Sequence, residues 1–150
     1  MGRQRAVART LATVTLASLF LVLSSVSCAA EPEEVALETA REWTVSSVES
    51  ISSRIGESLA GQLPLAEIIS AGVEDQIRDK VSWSYSATAK SAPSRYEVLA
   101  RASSPISIPV PFKSDKRYDI TVDFVLEVDT KSASVVDDQI DVSSLAVRER

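Results

Sequence analysis

Four carboxylates, Asp119, Asp123, Glu127 and Asp129, all carry odd residue numbers in the segment YDITVDFVLEVDT, so a strand would present them on one face. Asp137, Asp138 and Asp141 follow one short turn later, on a strand that could pair with the first. Several carboxylate oxygens in reach of one another suit a hard cation such as Ca²⁺. Two carboxyls flanking a cleft, one of them desolvated, suit acid–base hydrolysis. The same spacing also describes the solvent face of an amphipathic strand, with Lys116, Arg117 and Lys131 as counter-charges. No calcium-loop spacing with its glycine is present, and every acid that can be placed falls on a polar face. The expectation is therefore a solvated face, with no metal and no carboxylate pair doing chemistry.

Other catalytic apparatus is missing. There is no histidine, which removes the usual general base near neutral pH and the commonest metal ligand. Ser-His-Asp chemistry is excluded with it. The four glycines form neither a phosphate-cradling loop nor a dinucleotide fingerprint, so no cofactor is expected and the chain reads as a non-enzyme. Trp43, Trp83, Tyr85, Tyr96, Tyr118 and Phe124 all fall on the apolar faces of their predicted elements. They could line a pocket for a small apolar ligand or fill an ordinary core.

The single cysteine, Cys28, excludes an internal disulfide and sits at an informative place. Arg3, Arg5 and Arg9 precede an uncharged, mostly apolar run, Leu11 to Val26, and small residues follow. This is the layout of a secretory signal over residues 1–27. The stretch SSVSCAA resembles a bacterial lipobox, with Ser27 before the cysteine and Ala29 after it; Ser25 stands where that family prefers leucine. The resemblance implies that Cys28 becomes a lipidated N-terminus and that the chain is held at a membrane by that lipid. Cleavage by the ordinary peptidase near 29–30, or an uncleaved anchor, are the alternatives. All three place the remainder outside the cytoplasm, lipid-anchored at a cell envelope or free as a secreted or periplasmic domain.

Residues 28–34 are expected to be a short tether and 35–150 one globular domain. Setting aside residues 1–27 leaves 123, enough for a core without disulfides. Formal charge is −5 for the whole chain; without Arg3, Arg5 and Arg9, 13 basic and 21 acidic residues remain, a net of −8. Such a domain is repelled by phosphate backbones and by anionic lipid surfaces, so nucleic acid is not an expected partner.

The elements that must position these residues follow from periodicity. Ala36, Ala40, Trp43, Ser47 or Val48, Ile51, Ile55 and Leu59 mark an amphipathic helix that begins at Glu31 or Pro32, with a kink expected at Gly56. Pro64 opens a second helix with Ala66, Ile69, Val73 and Ile77 inward, and Gly72 is the expected site of a close crossing. After Lys80 the period drops to 2. VSWSYSATA and RYEVLARA read as strands. In SSPISIPVPF the alternation Ile106, Ile108, Val110, Phe112 continues, but its prolines restrict it to an edge or an extended connection. The best strand is YDITVDFVLEVDT. The last, SVVDDQIDVSSLAVRE, has Val136, Ile140 and Val142 on one face, with Leu145 and Val147 of opposite parity, so a bulge at Ser143–Ser144 is expected.

Helices followed by strands give an α+β domain: one or two N-terminal helices on a curved, about four-stranded antiparallel sheet. This element order resembles the cystatin-like and nuclear-transport-factor-2-like superfamily over roughly residues 32–148. The resemblance implies a sheet wrapped around helices and assigns no functional residue. The functional expectation is an envelope binding module for an unknown protein or small-molecule ligand. The alternatives are an accessory subunit of an envelope complex and a carboxylate-dependent hydrolase with a cavity between helices and sheet.

Overall fold

A computed structural model describes residues 29–64 and 71–150; Cys28 and the signal segment lie outside the described residues. The order is α1 (Pro32–Ser46), α2 (Val48–Leu59), α3 (Val73–Lys80), β1 (Ser82–Ala89), β2 (Arg95–Ile108), β3 (Lys116–Asp129) and β4 (Ser134–Glu149). The strands form one antiparallel sheet in the order β1-β2-β3-β4, with the helices packed against it, an α+β arrangement as expected.

Pro32 opens α1 with Glu33 and Glu34 in its first turn, where a missing N–H costs nothing and acids meet the positive helix end. The helix breaks at Ser47, not at the expected Gly56. Thr44, Val45, Ser46, Ser47 and Val48 are β-branched or hydroxyl residues, all poor helix formers. Thr44 and Ser46 also turn their hydroxyls onto the carbonyls of Arg41 and Trp43. Gly56 stays helical and marks the crossing of α2 over α3: a Cβ there would lie 2.9 Å from Glu74 Cγ. Gly72, the glycine expected at that crossing, instead precedes α3 with φ +60°, a conformation glycine adopts without strain.

The core lies between the helices and one sheet face. Ala36, Ala40, Ile51, Ile55, Leu59, Val73 and Ile77 come from the helices. From β3 come Tyr118, Ile120, Val122, Phe124, Leu126 and Val128, the alternation read from the sequence. Register pairs large side chains with small ones: Tyr85 lies opposite Ala100, which lies opposite Phe124. The small β2 residues leave room for Trp83 to tilt onto Phe124, with ring centroids 5.8 Å apart.

β4 carries two irregularities. Asp141 pairs with Asp123 and Ala146 with Thr121, so residues 142–145 oppose Val122 alone. Asp141 organises this bulge. Its carboxylate accepts from the Ser143 N–H, its carbonyl from the Ser144 hydroxyl, and Ser144 in turn accepts from the Asp123 N–H at 2.7 Å. The expected bulge at Ser143–Ser144 is thus present. A second shift, between Glu127 and Val128, was not foreseen. It turns Val135 inward and leaves Val136 exposed; Val142, in the first bulge, is exposed too. The inward set is therefore Val135, Ile140, Leu145 and Val147, not Val136 and Val142.

Candidate functional site

The outer sheet face holds the carboxylates that the sequence brought forward. Each of the four on β3 is answered by a cation, whereas Asp137 and Asp141 of β4 accept from Gln139 and Ser143. Asp119 receives two bonds from Arg150, both 2.6 Å. Asp123, nearly buried, receives two from Arg101 at 2.7 and 2.8 Å. Lys90 donates to Glu127 at 2.7 Å, and Arg95 lies 3.6 Å from both Glu127 and Asp129. The partners are thus not Lys116 and Arg117; Lys131 contributes only its backbone N–H, to Asp129. Asp138 leaves the set altogether: opposite Leu126 on the helix-covered side, it pairs with Arg54 of α2. Among the described residues, no group of three acids or thiols is placed to hold a metal ion. Arg150 holds the Asp119 carboxyl below its usual range, and Lys90 does the same to Glu127. For Asp129 the Lys131 N–H is the main cause. These shifts keep the carboxyls ionised, the opposite of what a general acid needs.

The six aromatic residues do not converge on one cavity. Trp83, Tyr85 and Phe124 cluster under α1, and the Tyr85 hydroxyl shares a 2.6 Å hydrogen bond with Thr44. Burial pushes the Tyr85 hydroxyl pKa up. Trp43 packs on the core from the end of α1. Tyr96 pairs with Val128 at one end of the sheet and Tyr118 with Ile106 at the other. The gap bounded by Ile55, Ile77, Val81, Ala102 and Val122 is too small for a water molecule.

The feature that stands apart is the sheet end formed by the β2–β3 connection. β1 pairs with β2 only as far as Ser103, leaving residues 104–108 of β2 without a strand on that side. Gln76 of α3 fills the place. Its side-chain amide donates to the Ser107 carbonyl and accepts from the Ser107 N–H, both at 2.8 Å, and also donates to the Ala71 carbonyl. Alternate strand residues direct their backbone to the same side, so Pro105, which has no N–H to give, faces this side with Ser107. The prolines thus sit where an edge-like segment tolerates them, as their chemistry requires.

Beyond Ile108 the chain turns at Val110–Lys113, closed by the Lys113 N–H on the Val110 carbonyl at 3.1 Å. Pro111 and Phe112 occupy the corners, and Phe112 has φ 61°. Proline followed by a positive φ is the type II pattern, where glycine is the usual second corner. Phe112 is fully exposed, at 107%, and does not continue the inward alternation of Ile106 and Ile108. Lys113 follows it in the chain, and Lys116 and Arg117 open β3 just beyond the turn, on opposite faces of the sheet. Below them Lys80, Ser107, Arg117, Tyr118 and Arg150 line an open cleft of about 270 Å³. Sequence reading missed this cluster, because KSDKR and RER lie 30 residues apart and meet only through the β3–β4 register, Asp119 against Arg148.

No protein-family model, curated protein or solved structure matches this chain.

Proposed function

We propose that the chain is an exported, lipid-anchored α+β domain that serves as a non-enzymatic binding module of a cell envelope. The observation that carries the reading is the leader: Arg3, Arg5 and Arg9, an apolar run, then Cys28 four residues before α1 begins at Pro32. A lipid on Cys28 would hold the domain close to the bilayer. The resemblance to cystatin-like and nuclear-transport-factor-2-like domains rests on element order and brings no residue role. The ion-paired surface carboxylates support binding over hydrolysis. Intact-mass analysis of membrane-extracted protein tests the proposal. A diacylglyceryl adduct on a chain starting at Cys28 is expected. A soluble cytosolic protein still starting at Met1 would overturn it.

An accessory subunit of an envelope complex is the second reading, favoured by β1. This edge strand, SWSYSATA, carries no charge, proline or bulge, the devices that normally block strand addition. Substituting Ser84→Lys at the edge should dissociate such a complex in native electrophoresis and leave the isolated domain folded. Unchanged migration of the complex would exclude β1 as its contact.

A further inference from the structure

We propose that the Phe112 turn and its surrounding cations form a second membrane contact, selective for anionic lipid headgroups, at the sheet end remote from the tether. This rests on the reading that the domain lies at a bilayer, and deepens it by assigning the surface that touches the lipid.

Three observations converge. Phe112 is an aromatic side chain wholly in water at the tip of a connection, held there by a backbone conformation that disfavours bulky residues. Strain of this kind persists where the surroundings impose it and clusters at functional positions. Lys80 and Arg117 line the cleft at this end, Lys113 and Lys116 flank the turn in the chain, and none of the four makes an ion pair among the described residues. Asp115 is the one acid within the turn, and it receives the Ser107 hydroxyl at 3.4 Å. An apolar tip with unpaired cations on either side of it in the chain and in the cleft at its end fits the boundary between headgroups and acyl chains, where the aromatic ring enters and the cations meet phosphate.

The net charge of the domain does not oppose this. Charges farther than about 8 Å are screened at physiological ionic strength. Glu34, Glu38 and Glu42 of α1 share a groove with Ala133 at the β3–β4 turn. That turn and the Phe112 turn lie at opposite ends of β3, whose 14 residues span about 45 Å at the usual strand rise. The acids at the Phe112 end are Asp115, Glu149 opposite Tyr118, and Asp119, which Arg150 neutralises; against them stand Lys80, Lys113, Lys116 and Arg117, so an anionic surface at the tip meets a far less acidic balance than the whole domain carries. Two acyl chains on Cys28 suffice to hold the chain at a bilayer, so the basic tip would set how the domain lies on it. Contacts at both ends would lay the long axis of the sheet along the bilayer.

The test uses the full chain, mixed with vesicles of phosphatidylcholine alone or with phosphatidylglycerol added, each carrying brominated lipid. Phe112→Trp adds a reporter, read against the background of Trp43 and Trp83 in the unsubstituted chain. The added fluorescence should be quenched in the anionic vesicles. Quenching should be lost at high salt and in the combined Lys113→Glu, Lys116→Glu and Arg117→Glu variant. Phe112→Gly should keep or raise the melting temperature, so lost binding in that variant cannot be ascribed to unfolding. Absence of quenching, or equal quenching in neutral vesicles and after charge reversal, would overturn the proposal. So would vesicle-free sedimentation showing that Phe112→Gly dissociates an oligomer, since the tip would then cover a second copy. Cys28→Ser separates the two readings. Quenching that persists in this variant belongs to the tip, and an unsubstituted chain that intact mass finds unacylated leaves the tip standing and removes the anchor. An acylated Cys28 without quenching removes the tip alone.

Discussion

The two ends of the sheet solve one problem, reversing an antiparallel chain, with the same local device and opposite surroundings. At one end Pro93 and Ser94 occupy the corners of a turn closed by the Arg95 N–H on the Ala92 carbonyl, and Ser94 has φ 60°. At the other Pro111 and Phe112 occupy the corners with φ 61°. The Ser94 turn is tied down: its carbonyl accepts the Thr130 N–H at 2.9 Å and the Thr130 hydroxyl at 3.2 Å, and Arg95, Glu127 and Asp129 interlock beside it. The Phe112 turn projects alone, and its strand is steadied from behind by Gln76. One end is closed by its own contacts, while the other presents an apolar side chain that the fold does not use. The difference separates what the domain needs in order to fold from what it offers to something else.

The largest effect should come from cutting the strap at the open end. Gln76→Ala leaves the Ser107 N–H and C=O without their partner, which should cost about 2 kcal/mol in chemical denaturation. Amide exchange should accelerate at Ser107 and its β2 neighbours and stay unchanged at Thr130. Equal acceleration at both ends would mean that the sheet opens as one unit and that the ends do not differ.

The next effect has the opposite sign. Phe112→Gly should stabilise the fold by about 0.5–1 kcal/mol, since relief from the left-handed conformation exceeds the added flexibility of the unfolded chain. Ser94→Gly should fall within a few tenths, because serine is small and its turn is already held. A thermal melt of each decides this. A destabilised Phe112→Gly variant would show that the ring contributes to folding after all, and would remove the reason for assigning it to an outside partner.

How much of this was legible beforehand depends on the element. Strand β3 was readable because six apolar residues alternate without interruption and burial on one face enforces the register. The Ser143–Ser144 bulge was readable from a parity change, whereas the second bulge was not, since Val135 and Val136 offer equally apolar side chains to either face. The helix break was misplaced because glycine is a stronger local signal than five weak helix formers in a row. Gly56 is instead held helical by the packing of α3. The basic end was invisible because its members come from α3, the β2–β3 turn and the end of β4, and only register brings them together. The Phe112 turn carried a readable signal, proline at the first corner, but alternation argued for a strand and the absence of glycine argued against a turn.

Smaller effects test the closed end. Thr130→Val removes the 3.2 Å hydroxyl bond and keeps the N–H bond. It should cost about 0.5 kcal/mol, detectable as a shift in the urea midpoint with the slope unchanged. An unaltered midpoint would mean that the backbone bond alone holds the two turns together.

The smallest effect concerns charge. Glu127 titrates below its ordinary value chiefly because Lys90 donates to it, Asp129 chiefly because of the Lys131 N–H, and Asp119, toward the open end, because of Arg150. A carboxyl whose folded pKa is depressed stabilises the fold above its unfolded value, and that contribution is lost as pH falls through the folded one. All three should therefore weaken the fold only in acid, and modestly, because the groups face solvent. Lys90→Ala should raise the Glu127 titration midpoint toward the ordinary glutamate value in a carboxyl NMR titration. Asp129 and Asp119 should stay where they are, since neither depends on Lys90. Movement of Asp119 would show that charge at one end is felt at the other, and the local screening that lets the Phe112 tip act independently of the acidic remainder would no longer hold.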